Sequence, residues 1–322
     1  MSDYNCITDV DGIMVGQVTD LVNLTGCTVV LCKEGATCGI DIKGGAPGSR
    51  ECSLLNPLMS NDKVHAVFLS GGSSYGLSVG EGVMQYLEEQ KTGFETQFGK
   101  IPIVPGAVLF DLSVGNSQVR PNNEMGYLAC KEAQRGKIKE GNYGAGTGAT
   151  VGKVMGFQNC MKGGIGSASI RMGNDVTVGA IVAVNSFGDI RNPKTGQIIA
   201  GPLFNNKPQD TLDMMIEQQD MLYSYHMNTT LAVVATNAEI TKPECAKVSQ
   251  IASNGLSNTI YPYGTTLDGD TVFTLSYGKK TCDINLLGVL AGKVLSEAVI
   301  NAISKAESVC NIKSYKEIFC SK

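Results

Sequence analysis

The chain reads as an α/β layered sandwich. Three observations predict it: short apolar, β-branched runs bounded by Gly, Asn and Asp, longer segments with apolar residues at helical spacing, and an order that mixes the two without regular β-α-β alternation. At 322 residues the chain can bury a large core, and its Gly and apolar runs are spread without a linker, so one domain over 1–322 is expected.

Taken in order, strands are expected over 27–32, 66–70 and 101–104, with helices over 77–90 and 123–135. Further strands follow over 167–171, 176–184, 231–236 and 271–276, where Val, Ile, Thr and Phe are dense. A helix over 211–223 rests on a helix-like pattern in an acidic stretch. The helix over 243–260 has Thr241 where an N-cap belongs and Pro243 in its first turn. In the last, over 285–306, Asp283 can cap and Leu286, Leu287, Leu290, Val294 and Val299 recur at roughly helical spacing.

Composition excludes several functions. The net charge is −4 with no basic block, so nucleic-acid binding is not expected, and the mildly basic tail from Lys313 to Lys322 reads as solvated. The 11 cysteines lack CxxC or Cys/His ligand spacing, which argues against a disulfide framework or zinc site and for a reducing compartment. The start, Met1-Ser2-Asp3-Tyr4-Asn5-Cys6, has no basic region followed by an apolar core, and no apolar run is expected to span a membrane, so cytoplasmic residence follows.

Chemistry enters through what is scarce. Only His65 and His226 are available, whereas Ser and Cys hydrolases usually take the nucleophile's proton with a His. An N-terminal Thr needs none, because its own α-amine titrates near neutrality and can act as the base. Asn228-Thr229-Thr230 stands directly before the run Leu231-Ala232-Val233-Val234-Ala235, a suitable place for self-cleavage that exposes a Thr. Asp268-Gly269-Asp270 sits where a turn enters the strand at Thr271, its two carboxylates on one face and able to orient a Thr ammonium and hydroxyl. Turn-capping Asp and strand-opening Thr are the plain alternatives. Upstream, the glycine-dense 141–153 delivers Lys153, and the strand ending at Val184 delivers Asn185, a candidate oxyanion donor.

With these places named, the chain resembles, nearly end to end, the self-processing D-aminopeptidase/β-aminopeptidase group, which includes the endohydrolase of 6-aminohexanoate oligomers. The resemblance is carried by Lys43-Gly44-Gly45-Ala46-Pro47-Gly48-Ser49-Arg50-Glu51, Leu69-Ser70-Gly71-Gly72-Ser73-Ser74-Tyr75-Gly76-Leu77, Gly144-Ala145-Gly146-Thr147-Gly148-Ala149, Lys162-Gly163-Gly164-Ile165-Gly166-Ser167-Ala168-Ser169, Val184-Asn185, Val234-Ala235-Thr236-Asn237-Ala238 and Asp268-Gly269-Asp270. It implies an N-terminal-nucleophile-hydrolase-like αββα sandwich, two packed sheets flanked by helices. The nucleophile it implies lies eight residues before Asn237, at Thr229, with the cut at Asn228–Thr229 giving chains 1–228 and 229–322. A shift of one residue would put Thr230 in that place.

The resemblance also points to Lys153 as an active-site cation, with Lys162 as the alternative, and to Asn185 as oxyanion donor. Members with a Ser-Gly-Glu-like motif depart from Asp268-Gly269-Asp270. The activity implied is amide-bond hydrolysis of small peptides, β-peptides, amino acid amides or ω-amino acid oligomers through an acyl-Thr intermediate, without metal or organic cofactor. The implied assembly is a homo-oligomer of cleaved αβ heterodimers, with a small-molecule amide or peptide as the only other partner. Tyr75, Gly146 and Glu124, together with Glu51, are nominated to line the pocket. The end of the segment before the cut, 224–228, is expected to move away once severed.

Two other readings compete. Gly72-Ser73-Ser74-Tyr75-Gly76 spells G-x-S-x-G between a strand and a helix, as a serine esterase with nucleophile Ser74 would need, with His226 and Asp189 or Asp213 as partners. Gly144-Ala145-Gly146-Thr147-Gly148 looks like a phosphate loop but fails both the Walker and the dinucleotide spacings.

Overall fold

The first strands form around one unusually long element. In the computed structural model, which describes residues 4–217 and 228–320, β1 (Met14–Asp20) pairs antiparallel with β2 (Thr25–Ile42). They are followed by β3 (Gly48–Arg50), β4 (Lys63–Ser70), α1 (Val79–Glu89), β5 (Gly106–Val108) and α2 (Asn123–Glu132). The chain continues through β6 (Gly164–Arg171), β7 (Thr177–Asn185), α3 (Thr211–Glu217), β8 (Thr229–Ala238), α4 (Lys242–Ser257), β9 (Thr271–Lys280) and α5 (Ile284–Lys305).

The large sheet has nine strands in the order β6-β7-β8-β9-β2-β4-β5-β3, with β1 on β2 off that path. The two expected sheets are therefore halves of one hydrogen-bonded sheet. The β2 to β4 register breaks between Leu31 and Ala36, and Gly35 has φ +85°, so the strand bends and its two ends lie in different layers. Alternation then builds three cores. Cys27, Val29, Leu31, Ala66 and Phe68 face α1 and α2. Val30, Cys32, Val67, Leu69, Ile181, Ala183, Leu231, Val233 and Phe273 fill the space between the halves. Val178, Ala180, Val182, Ala232 and Val234 face α4 and α5. Each fully buried Val, Leu or Phe contributes about 1.5–3 kcal/mol of transfer free energy, so period-two alternation with both faces apolar is what holds four layers together.

Local signals place the helices. The Glu244 carboxylate accepts from the Thr241 N–H at 2.7 Å, and the Asp283 side chain accepts from the Leu286 N–H at 2.9 Å, so both expected starts are capped. The α4–α5 crossing is close: a Cβ on Gly255 would stand 1.9 Å from the Gly292 carbonyl oxygen. Contrary to expectation, α5 is, by length and composition, long and apolar enough to cross a membrane; 56% of its most apolar window is buried, against α4 and the sheet. The sequence reading missed β1, β3 and β5. The last two are three residues long, too short to show alternation. Of the helix expected over 211–223 and the mobile end over 224–228, residues 218–227 lie outside the described residues.

Candidate active site

The site forms where β8, β7 and the turn before β9 meet. Thr229 opens β8 opposite Asn185, the last residue of β7, while Asn228 bridges to Asp268 in the turn. That turn winds on its own side chains. Thr265 Oγ1 donates to Asp268 Oδ2 at 2.6 Å and accepts from the Leu267 N–H at 3.1 Å. The motif loop at 43–46 lies on top of it: the Lys43 N–H donates to the Asp270 carbonyl at 2.9 Å, Gly45 to Thr265 at 3.0 Å and Ala46 to Asp268 at 2.9 Å. A Cβ on Gly44 would stand 2.2 Å from the Asp268 carbonyl oxygen, which is why glycine belongs there.

Two groups converge on the Asn228 carbonyl. The Gly269 N–H donates to its oxygen at 3.0 Å, and the Thr229 hydroxyl hydrogen-bonds to the same oxygen. A Cβ on Gly269 would lie 2.7 Å from Thr229 Oγ1, so the glycine leaves room for the hydroxyl. The Asn228 side chain is also held, its Nδ2 donating to the Leu267 carbonyl at 3.2 Å. Thr229 is only 4% exposed. Thr230, the neighbouring candidate, donates its N–H to Asp270 Oδ1 at 2.6 Å.

The two carboxylates are buried and strongly hydrogen-bonded. Asp268 Oδ1 accepts from the Phe187 N–H at 3.1 Å, and Asp270 Oδ2 from the Gly264 N–H at 3.0 Å. Burial, with the Asp268 charge second, pushes Asp270 up to about 8, and burial also raises Asp268. Burial pulls Lys153 down to about 7 against the opposing pull of Cys160, Asp268 and Asp270. Burial thus shifts the two carboxyls and the amine toward one another, which suits groups that exchange protons.

Lys153, rather than Lys162, reaches Asn185. Its Nζ donates to the Asn185 carbonyl at 2.7 Å, to Asn185 Oδ1 at 3.0 Å and to the Ser186 carbonyl at 3.4 Å. The Thr150 N–H also donates to Oδ1, at 2.9 Å, and Asn185 Nδ2 donates to the Phe110 carbonyl at 3.0 Å. Lys162 instead clamps the glycine-rich turn through the carbonyls of Gly146, Ala149 and Gly163 at 2.9, 2.8 and 3.2 Å.

Of the remaining nominees, Gly146 gives its carbonyl to Lys162. Tyr75 is 59% exposed beneath the Arg120 guanidinium, 3.8 Å from its ring centroid, and Glu124 is exposed on the first turn of α2. Glu51 accepts from the Val104 N–H at 3.0 Å. Ser74 does stand between strand β4 and helix α1, as a nucleophile elbow requires, but it is exposed, and Asp189 is engaged by the Thr211 N–H and Arg191. His226 lies outside the described residues. Sequence reasoning missed the Gly269 N–H, the Leu267 carbonyl and the Phe187 N–H, all backbone groups. The one available signal was a glycine between two acids. Among the described residues no group of three or more His, Cys, Asp or Glu side chains could hold a metal ion.

Comparison with known proteins shows the family and the fold. The profile of peptidase family S58 matches residues 5–316. An uncharacterized aminopeptidase of Mycobacterium leprae is 40% identical, the alignment covering 98% of this chain and 94% of the relative. A 6-aminohexanoate-oligomer endohydrolase of a Kocuria species is 30% identical over 91% of this chain and 84% of its own length. Among solved structures, the L-aminopeptidase D-Ala-esterase/amidase of Ochrobactrum anthropi, described as a variant of the Ntn hydrolase fold, superposes with a TM-score of 0.73 at 18% identity, over 95% of this chain and 87% of that one. The fold is thus that of the Ntn hydrolases, and the protein is a hydrolase of peptide or amide bonds that belongs to peptidase family S58.

Proposed function

We propose that the chain cleaves itself between Asn228 and Thr229 and then works as an N-terminal-threonine amidohydrolase. One observation carries the reading: the Thr229 hydroxyl and the Gly269 N–H both meet the Asn228 carbonyl, nucleophile and oxyanion donor on one scissile bond. Thr229 Oγ1 attacks that carbon, the C–N bond breaks, and the hydroxyl proton ends on the Thr229 nitrogen. The result is an ester between Asn228 and the Thr229 side chain. Water then hydrolyses the ester, releasing chain 1–228 with a carboxylate and leaving Thr229 with a free amine and hydroxyl.

In turnover the same hydroxyl attacks a substrate amide, its proton passing to the Thr229 amine. The leaving amine takes a proton, and water frees the acyl group. Asn185, opposite Thr229, is assigned to the substrate's oxyanion through its side-chain amide; Asp268 and Asp270 hold the turn against β8 and share protons with the site, while Lys153 sets its charge and fixes Asn185. Substrates are amides of amino acids and short peptides, including β-peptides and ω-amino acid oligomers, in line with the aminopeptidase and oligomer endohydrolase names of the relatives. The test is intact-mass analysis of purified protein. Wild type and Thr229→Ser should give two chains of 228 and 94 residues, and Thr229→Ala one uncut, inactive chain; a Thr229→Ala protein that cuts normally rejects the assignment.

A further inference from the structure

Resting on that reading, the uncut chain carries its own first substrate, and Asn228 is that substrate's acyl residue. The carbonyl oxygen of Asn228 is held by the Gly269 N–H at 3.0 Å and its side-chain nitrogen by the Leu267 carbonyl at 3.2 Å, two backbone groups of one turn. We propose that the Leu267 carbonyl receives the amine of the substrate's acyl group in the mature enzyme, and that the acyl group of best fit is a γ-amino acyl group.

The length follows from the covalent path of the occupant. Between the Asn228 carbonyl carbon and Nδ2 stand three carbons, Cα, Cβ and Cγ. A 4-aminobutanoyl group has the same three between its carbonyl carbon and its amine, an α-aminoacyl group has one, and a β-aminoacyl group two. An acyl group that puts its nitrogen where Nδ2 stands therefore reproduces both hydrogen bonds at once.

The acceptor keeps three holds after the cut that do not involve Asn228. The Leu267 N–H is tied to Thr265 Oγ1 at 3.1 Å, the Asp268 N–H to the Thr265 carbonyl at 3.3 Å, and the Asp268 carbonyl receives the Ala46 N–H. Once the end of chain 1–228 leaves, the Leu267 carbonyl loses the Asn228 donor, and a nearly buried carbonyl without a donor is costly. An ammonium there forms a charge-assisted bond.

The turn that carries this acceptor also carries an apolar cluster. The Leu267 side chain packs with Val154 and Phe187, and Met155, Met214 and Met215 pack on that cluster. The helix bearing Met214 and Met215 is anchored independently of the cut: the Thr211 N–H donates to buried Asp189 at 2.9 Å, and Arg191 bridges to Asp210 at 2.9 Å. Unbranched Met side chains adapt to chains of different length.

The experiment uses mature wild-type protein and the 4-nitroanilides of L-alanine, β-alanine, 4-aminobutanoate, 6-aminohexanoate and, as the amine-free control, butanoate. Hydrolysis releases 4-nitroaniline and the free acid, against a no-enzyme blank. Expected is a kcat/KM for the 4-aminobutanoyl compound at least about tenfold above both the L-alanyl and the butanoyl compounds. An L-alanyl compound that is hydrolysed as fast or faster, or a butanoyl compound that matches the aminobutanoyl one, overturns the assignment. A second arm reads the precursor: Asn228→Asp keeps the size but removes the amide donor and should slow self-cleavage about tenfold, and cleavage at the wild-type rate counts against the proposal. Protein that is cut at Thr229 but prefers L-alanyl refutes only the acyl assignment. Protein that is never cut and turns nothing over refutes the threonine reading, and this proposal with it.

Discussion

Gly269→Ala is the sharpest test of how the site works, because the added atom meets two main-chain atoms and the Thr229 hydroxyl. The new Cβ would stand 2.7 Å from Thr229 Oγ1, 2.7 Å from the Ala46 carbonyl oxygen and 3.1 Å from Pro47 Cα, where ordinary contact begins near 3.4 Å. About 0.7 Å of movement is needed, since 3.4 − 2.7 = 0.7. Gly269 is not among the positive-φ glycines, so alanine can adopt its backbone conformation and crowding is the whole perturbation. Two of the three neighbours are main-chain atoms that cannot swing away. Overpacking of this kind costs roughly 1–3 kcal/mol, a loss of a few degrees in Tm for a chain this long. Either the Thr229 hydroxyl moves off the Asn228 carbon or the Gly269 N–H leaves its oxygen. Losing one oxyanion donor slows acyl transfer about 10²–10³-fold, and each ~1.4 kcal/mol of reactive misalignment adds about a factor of ten. Self-cleavage of freshly folded Gly269→Ala, followed by gel and intact mass, should therefore be at least about a hundredfold slower than wild type while circular dichroism stays native. A Gly269→Ala chain that cuts at the wild-type rate refutes the role of this turn.

Asn185→Ala should lower turnover of an amide substrate by about a hundredfold, as loss of an oxyanion donor does; little change in rate would move that role to backbone amides such as the Gly269 N–H. Lys162 makes a pH prediction. Burial depresses it to about 7 in the folded chain, from 10.5, so between pH 7 and 10.5 the unfolded state binds the extra proton and stability from this group rises with pH. Comparing wild type with Lys162→Met by denaturant titration should show a difference in slope of at most about 1.4 kcal/mol per pH unit in that window, and identical slopes would mean Lys162 is not held neutral. Lys153→Met should leave Asn185 Oδ1 with the N–H and hydroxyl of Thr150 and slow turnover more than it weakens substrate binding, which a kcat and KM comparison reads out.

The sequence by itself determined the layers and pointed to Thr229 as the proposed nucleophile. Alternation in 176–184 and 231–236 sent one set of side chains to α4 and α5 and the other to the inner core, because a strand's side chains have no third direction. Histidine poverty and Asn228-Thr229 at the mouth of a strand singled out the hydroxyl, since nucleophile chemistry depends on residue type. Only the tertiary structure decided what surrounds it. The pairing of Asn185 with Thr229 and the choice of Lys153 over Lys162 depend on a strand register and a turn set by distant segments. The Gly269 N–H and the Leu267 carbonyl left almost no trace in the sequence, because every residue but proline carries an amide hydrogen and every residue a carbonyl, and only the path of the folded chain aims them at one bond.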